Sequence, residues 1–83
     1  MARRSTITRT YFAKTEDDGT PIVLYRSVEG PSYLQDTVLN PDGWVPTLVL
    51  NNWRFGEAND VDIITRKEAK ATATEWGVGR FIK

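Results

Sequence analysis

The stretch Tyr33-Leu34-Gln35-Asp36-Thr37-Val38-Leu39-Asn40-Pro41-Asp42-Gly43-Trp44-Val45 decides the fold. Tyr33 to Leu39 alternates as a strand does, with Leu34 and Val38 on the face opposite Tyr33 and Leu39. Asn40-Pro41-Asp42-Gly43 then reads as a type I turn closing into a bulge. Pro presets the second position, Asp suits the third, and Gly supplies the left-handed fourth that residues with a Cβ resist. Trp44 and Val45 begin the returning strand. An antiparallel hairpin is therefore written into the centre of the chain.

The same logic extends upstream. Thr6 to Lys14 (TITRTYFAK) is rich in β-branched and aromatic residues and reads as a first strand. Glu16-Asp17-Asp18-Gly19 closes it into a tight turn, and Pro21 opens a second strand, Ile22 to Val28, apolar on both faces. Glu29-Gly30-Pro31-Ser32 punctuates before Tyr33. Downstream, Pro46 and Thr47 leave two readings of 47–55 open. Either Thr47 caps a short helix over 48–55 ended by Gly56, or the strand runs on at an edge where Pro46 needs no donor. Glu57 to Asp62 reads as an acidic loop. Thr65-Arg66-Lys67-Glu68 has capping-box spacing, so a helix starts there, and Gly77 sits where a helix-ending glycine belongs. Ala69, Ala73 and Trp76 share one stripe of it, with Trp76 expected to supply the bulk against the sheet. The fold class is thus α+β: an antiparallel meander of about four strands packed against a C-terminal helix.

The chain has 83 residues, with no His and no Cys, and 40% of its residues are hydrophobic. It reads as one domain, with 1–5 a flexible basic arm and 79–83 a basic tail. Chains of this size bury roughly 60% of their unfolded surface, so Trp44, Trp53 and Trp76, each worth on the order of 200 Å² of burial, weigh heavily. No disulfide or structural zinc is expected. No stretch reads as a membrane span or a secretory signal, so the cytoplasm is the expected location.

Eleven bases and eleven acids give zero net charge, but they are sorted. Arg3, Arg4, Arg9 and Lys14 stand at the start without an acid. Residues 16–62 carry nine acids against Arg26 and Arg54. Arg66, Lys67, Lys70, Arg80 and Lys83 return a basic end. This chemistry excludes much. Without His or Cys the commonest general base, nucleophile and metal ligand are missing, and no serine has an activating partner. Glu16-Asp17-Asp18 and Glu57, Asp60 and Asp62 match no calcium-loop spacing and read as solvating charge. An enzyme, a metal and a cofactor are all unexpected.

Several of these segments together resemble short uncharacterised proteins of actinobacteria and their bacteriophages. The resemblance runs over residues 11–70. It rests on Tyr11-Phe12, Gly19, Leu24-Tyr25-Arg26, Pro41-Asp42-Gly43-Trp44-Val45-Pro46-Thr47, Ile64-Thr65 and Glu68-Ala69. The helix start departs from that pattern, being Arg66-Lys67 where the family is acidic. The resemblance implies an accessory protein of a phage or mobile element and carries no site residues.

The leading expectation is a small non-enzymatic interaction protein that binds a host protein, with inhibition and recruitment both open. Tyr25, Tyr33 and Trp53 are the candidate contacts, because Val23 and Tyr25 with Tyr33 and Leu39 would form an apolar patch if one sheet face stayed open. If 48–55 and the tail cover that face, the result is a two-sided core. The alternative is nucleic-acid binding by Arg3, Arg4, Arg9, Arg66, Lys67 and Lys70, with Tyr11, Phe12 and Tyr25 stacking on bases. A further alternative is a structural subunit that self-associates into a homo-oligomer.

Overall fold

The computed structural model describes residues 7–54 and 61–82, and the side chains of 7–51 and 61–82. Five strands form one antiparallel sheet: β1 (Thr8–Thr15), β2 (Pro21–Gly30), β3 (Tyr33–Asn40), β4 (Gly43–Pro46) and β5 (Val61–Ile64). Helix α1 (Val49–Arg54) lies between β4 and β5, and helix α2 (Arg66–Glu75) follows β5, ahead of a single 3₁₀ turn, Gly79–Phe81. The strand order is β4-β3-β2-β1-β5. The first four strands form the expected meander, and the α+β class is the one the sequence implies.

Both principal turns follow their residues. Gly19 (φ 88°) and Gly43 (φ 127°) take the positive φ that other residues resist. The N–H of Gly19 donates to the Glu16 carbonyl at 2.8 Å. Gly43 pairs with Asn40, so Pro41 and Asp42 alone span the second turn. The β2–β3 turn is tighter than the sequence reading, because Glu29 and Gly30 belong to β2.

The fifth strand corrects the expected acidic loop at its C-terminal end. Asp62 lies in β5, where it pairs with Ala13, and Ile64 pairs with Tyr11. Four residues are too short a run to show alternation against a polar background, although three of the four are β-branched and apolar. The rest of that expected loop, 57–60, and the expected helix end at 55–56 lie outside the described residues. For 47–55 the helix is the correct reading: α1 forms, and the Val49 N–H donates to the Thr47 hydroxyl oxygen at 3.2 Å. Pro46 ends β4, consistent with its missing donor.

The sheet is covered on both sides, a two-sided core, but the tail lies on the α2 face and not beside 48–55 as expected. Tyr11, Ala13, Leu24 and Leu39 pack with Ala69, Ala73 and Ile82 on the α2 face. Phe12, Tyr25 and Val61 pack with Leu50 of α1 on the other. Two alanines let α2 approach closely, but Trp76 is not the bulk behind them. It forms the C-cap and is 40% exposed. The bulk comes from the tail, where Ile82 is 1% exposed and Val78 and Phe81 are partly buried. Residues 79–82 are thus not a free basic tail.

A full Schellman turn makes that reversal. Gly77 (φ 80°) donates to the Thr74 carbonyl and Val78 to the Ala73 carbonyl, at 3.0 and 2.9 Å. Lys70 completes the return, its ammonium donating to the Gly79 and Ile82 carbonyls, both at 3.0 Å. At the other end of α2 the capping box forms as read. The Glu68 N–H donates to the Thr65 hydroxyl oxygen at 3.0 Å, and the Thr65 N–H donates to a Glu68 carboxylate oxygen at 2.9 Å.

Two stability predictions follow from this packing. Leu50→Ala should cost about 2–5 kcal/mol in urea unfolding, and Ala69→Leu about 1–3 kcal/mol, since one empties and the other overfills a closed face. An unaffected Leu50→Ala would mean α1 is not part of the core. The backbone and hydroxyl of Thr65 hold the Glu68 carboxyl below its usual value of 4.5. The folded state favours the ionised form, so this contribution is present above the unfolded pKa and is lost as pH falls through the lowered folded pKa. The thermal-midpoint gap between wild type and Glu68→Gln should therefore change only below about pH 4.5.

Candidate functional site

Strand parity places a charge where a core residue belongs. On β2, Leu24, Arg26 and Val28 share the α2 face, and Arg26 pairs laterally with Tyr11 and Thr37. The Thr37 hydroxyl donates to the Arg26 carbonyl at 3.2 Å, tying β3 to β2 at this level. Arg9, two residues before Tyr11, stands on the same face beside Val28. The covering helix stops short of this end of the sheet: α2 packs on Tyr11, Ala13 and Leu24.

A pocket of about 460 Å³ results, lined by Arg9, Tyr11, Arg26, Trp44 and Phe81. Tyr11 is 3% exposed, so little of its ring is open to the space. Trp44 is fixed from two directions. Its indole N–H donates to the Phe81 carbonyl at 2.9 Å, and its ring centroid lies 6.3 Å from that of Tyr11 at 47°. The Arg26 guanidinium lies over the Trp44 ring, 4.4 Å from its centroid, and Arg80 lies over Phe81 at 4.5 Å. Gly43 lies against the tail here, where an added Cβ would meet the Phe81 ring at 3.5 Å, an ordinary contact.

The electrostatics of the pocket are unbalanced. The Arg26 Nε is buried without a hydrogen-bond partner. Among the described residues neither Arg9 nor Arg26 forms an ion pair with a carboxylate. Burial pushes the Arg26 pKa down, Tyr11 pulls it up, and the like charge of Arg9 pushes it down again. A guanidinium stays ionised through such a shift, so Arg26 is a partly buried cation with no carboxylate partner among the described residues. The acids of β2 and β3 offer nothing here, because Glu29 and Asp36 sit on the opposite face by register.

The residues singled out from sequence are not brought together. Tyr25 is 5% exposed in the α1-face core, so it is not available as a contact. Its supposed neighbours divide between faces, because the register aligns Tyr25 with Val38 and puts Tyr33 and Leu39 on the other side. Tyr33 is 48% exposed, its ring over Gly30. Trp53 lies in α1, its side chain outside the described residues. Of the basic set, Arg9 lines the pocket, Lys70 holds the tail, and Arg66 and Lys67 are exposed at the start of α2. Arg3 and Arg4 lie outside the described residues. Tyr11, Phe12 and Tyr25 are all buried and offer no open stacking surface. Arg26 and Trp44 were missed as site residues. The signal for Arg26 was its place on the Leu24–Val28 face of an apolar strand.

Among the described residues no cluster of three acids could hold a metal ion, and no helix is long and apolar enough to cross a membrane. No protein-family model, curated protein or solved structure matches the chain. If Arg26 serves a ligand and not the fold, Arg26→Met should leave the thermal midpoint unchanged or raise it, because a partly buried charge without a counter-ion is replaced by an apolar side chain of similar length. A drop of more than about 5 °C, roughly 1 kcal/mol for a domain of this size, would make Arg26 a structural residue.

Proposed function

We propose that this chain is a small non-enzymatic interaction protein, an accessory of a phage or mobile element, that binds and inhibits a host protein in the cytoplasm. The observation that carries the reading is the open end of β3. Only Thr37 to Asn40 pair with β4, so the first half of β3 has no strand beside it on that edge among the described residues. The Thr47 N–H reaches the Asp36 carbonyl at 3.0 Å, and the edge before it is open to a partner's backbone. Tyr33 and Leu34 flank it on opposite faces, at 48% and 53% exposure. An exposed Tyr and Leu beside unpaired strand edge is the arrangement that strand addition uses, with main-chain bonds for affinity and side-chain pockets for choice of partner.

The pocket supports the same reading. It opens on the α2 face, toward the end of the sheet where Gln35 and Tyr33 follow one another on β3. Its lining offers charge, a hydroxyl and aromatic rings, which bind, and no nucleophile beside a base. Acids concentrated between residues 16 and 62 would further select against acidic partners elsewhere on the surface.

The test is retention from an actinobacterial lysate on the immobilised chain, after nuclease and at moderate salt. Wild type should retain a defined host protein, and Tyr33→Ala with Leu34→Asp should lose it while shifting the thermal midpoint by less than about 5 °C. Retention that disappears with nuclease would transfer the function to nucleic acid. Equal retention by wild type and the double variant would remove the β3 edge from the interface.

A further inference from the structure

We infer that the pocket between Arg9, Arg26 and Trp44 is a carboxylate-binding site, and that it takes an acidic side chain or chain end presented by a protein partner. This deepens the interaction reading above and rests on it.

Charge and shape both point this way. Two arginines share one face at adjacent levels of β1 and β2, and among the described residues neither has a carboxylate partner. Like charges so placed repel, and the buried Nε of Arg26 forgoes the hydrogen bond that water would supply. A carboxylate entering the pocket would accept from the two terminal N–H groups of the guanidinium together, the two-pronged geometry for which arginine is suited. Contact with the Trp44 ring holds the Arg26 guanidinium in place beforehand, which reduces the ordering cost of binding. Arg9, exposed at the mouth, adds a second positive charge to guide entry. The volume of about 460 Å³ exceeds the needs of a lone anion and is within the range of ligand pockets, so the side chain or residue bearing the carboxylate fits too.

A nucleic-acid strand suits the same pocket less well. Base recognition on a single strand needs open aromatic faces. Here Trp44 and Phe81 each already carry an arginine on one face, and Tyr11 is buried. A phosphate backbone would also have to run past the acidic middle of the chain, whereas one carboxylate reaches the pocket alone.

The experiment follows the Arg26 Nε–H resonance by NMR on the full ¹⁵N-labelled chain, assigned by its loss in Arg26→Lys. The probes are end-blocked tetraglutamate, end-blocked tetraglutamine, a short oligothymidylate and inorganic phosphate. Tetraglutamate should shift the resonance saturably and tetraglutamine should not. Arg26→Gln should weaken tetraglutamate binding about tenfold or more, and Arg9→Gln by less, as expected for a direct and a peripheral charge. Tighter binding of oligothymidylate or phosphate would overturn the assignment to an acidic peptide. Saturation by tetraglutamate without movement of the Nε–H, or no binding by any probe, would overturn the site. The two readings fail separately. A Tyr33→Ala, Leu34→Asp protein that still binds tetraglutamate, yet retains the host protein like wild type, removes the edge and leaves the pocket standing.

Discussion

Three consecutive residues of β1, Tyr11, Phe12 and Ala13, are all buried, at 3%, 3% and 1% exposure. Successive side chains of a strand point to opposite faces, so burial of all three requires cover on both sides of the sheet at one level. The rest of the molecule is arranged around that requirement. β1 is flanked by β2 and β5, α2 with the tail closes the Tyr11 and Ala13 side, and α1 closes the Phe12 side. A chain of 83 residues has little with which to do this. It uses one short helix for each face, and among the described residues the core divides into two clusters on opposite sides of the sheet.

Short covers do not reach everywhere, and the site arises where they stop. On the α2 face the alanine stripe covers Ala13 and Leu24, and the chain then reverses at Gly77 to bring Phe81 and Ile82 back against Trp44 and Leu39. Lys70 secures the reversal by bridging two tail carbonyls, which turns a basic residue of α2 into an internal fastening. The space left between this tail and the next level of the sheet holds Arg26 and Arg9. The aromatic rings that fix the tail are therefore also the wall of the pocket, and the two roles share Trp44 and Phe81.

Charge pattern along the chain was a poor guide to the charge pattern in space. The basic ends suggested an arm and a helix face, yet the cations with the most distinctive surroundings are Arg26, from the acidic middle, and Arg9, its neighbour by strand pairing. What distinguishes Arg26 is that it forms no ion pair with a carboxylate among the described residues, and which side chains meet across strands depends on register. The aromatic patch expected around Tyr25 dissolved for the same reason, since Tyr25 and Tyr33 lie on opposite sides of the sheet.

Local rules determined the meander from sequence alone. Gly19, Gly43 and Gly77 reach backbone conformations that other residues resist, and Thr65 with Glu68 closes a reciprocal pair of hydrogen bonds within one turn. These effects act over a few residues and cost or contribute about a kilocalorie each, so they are legible without neighbours. Tertiary structure alone decided three things: that Val61–Ile64 would pair with β1, that α1 and not a partner would cover Tyr25, and that Phe81 would seat against Trp44 thirty-seven positions away. Each depends on area buried between segments distant in the chain, a quantity that no local spacing encodes. The pocket belongs to this second class, because it is bounded by β1, β2, β4 and the tail at once.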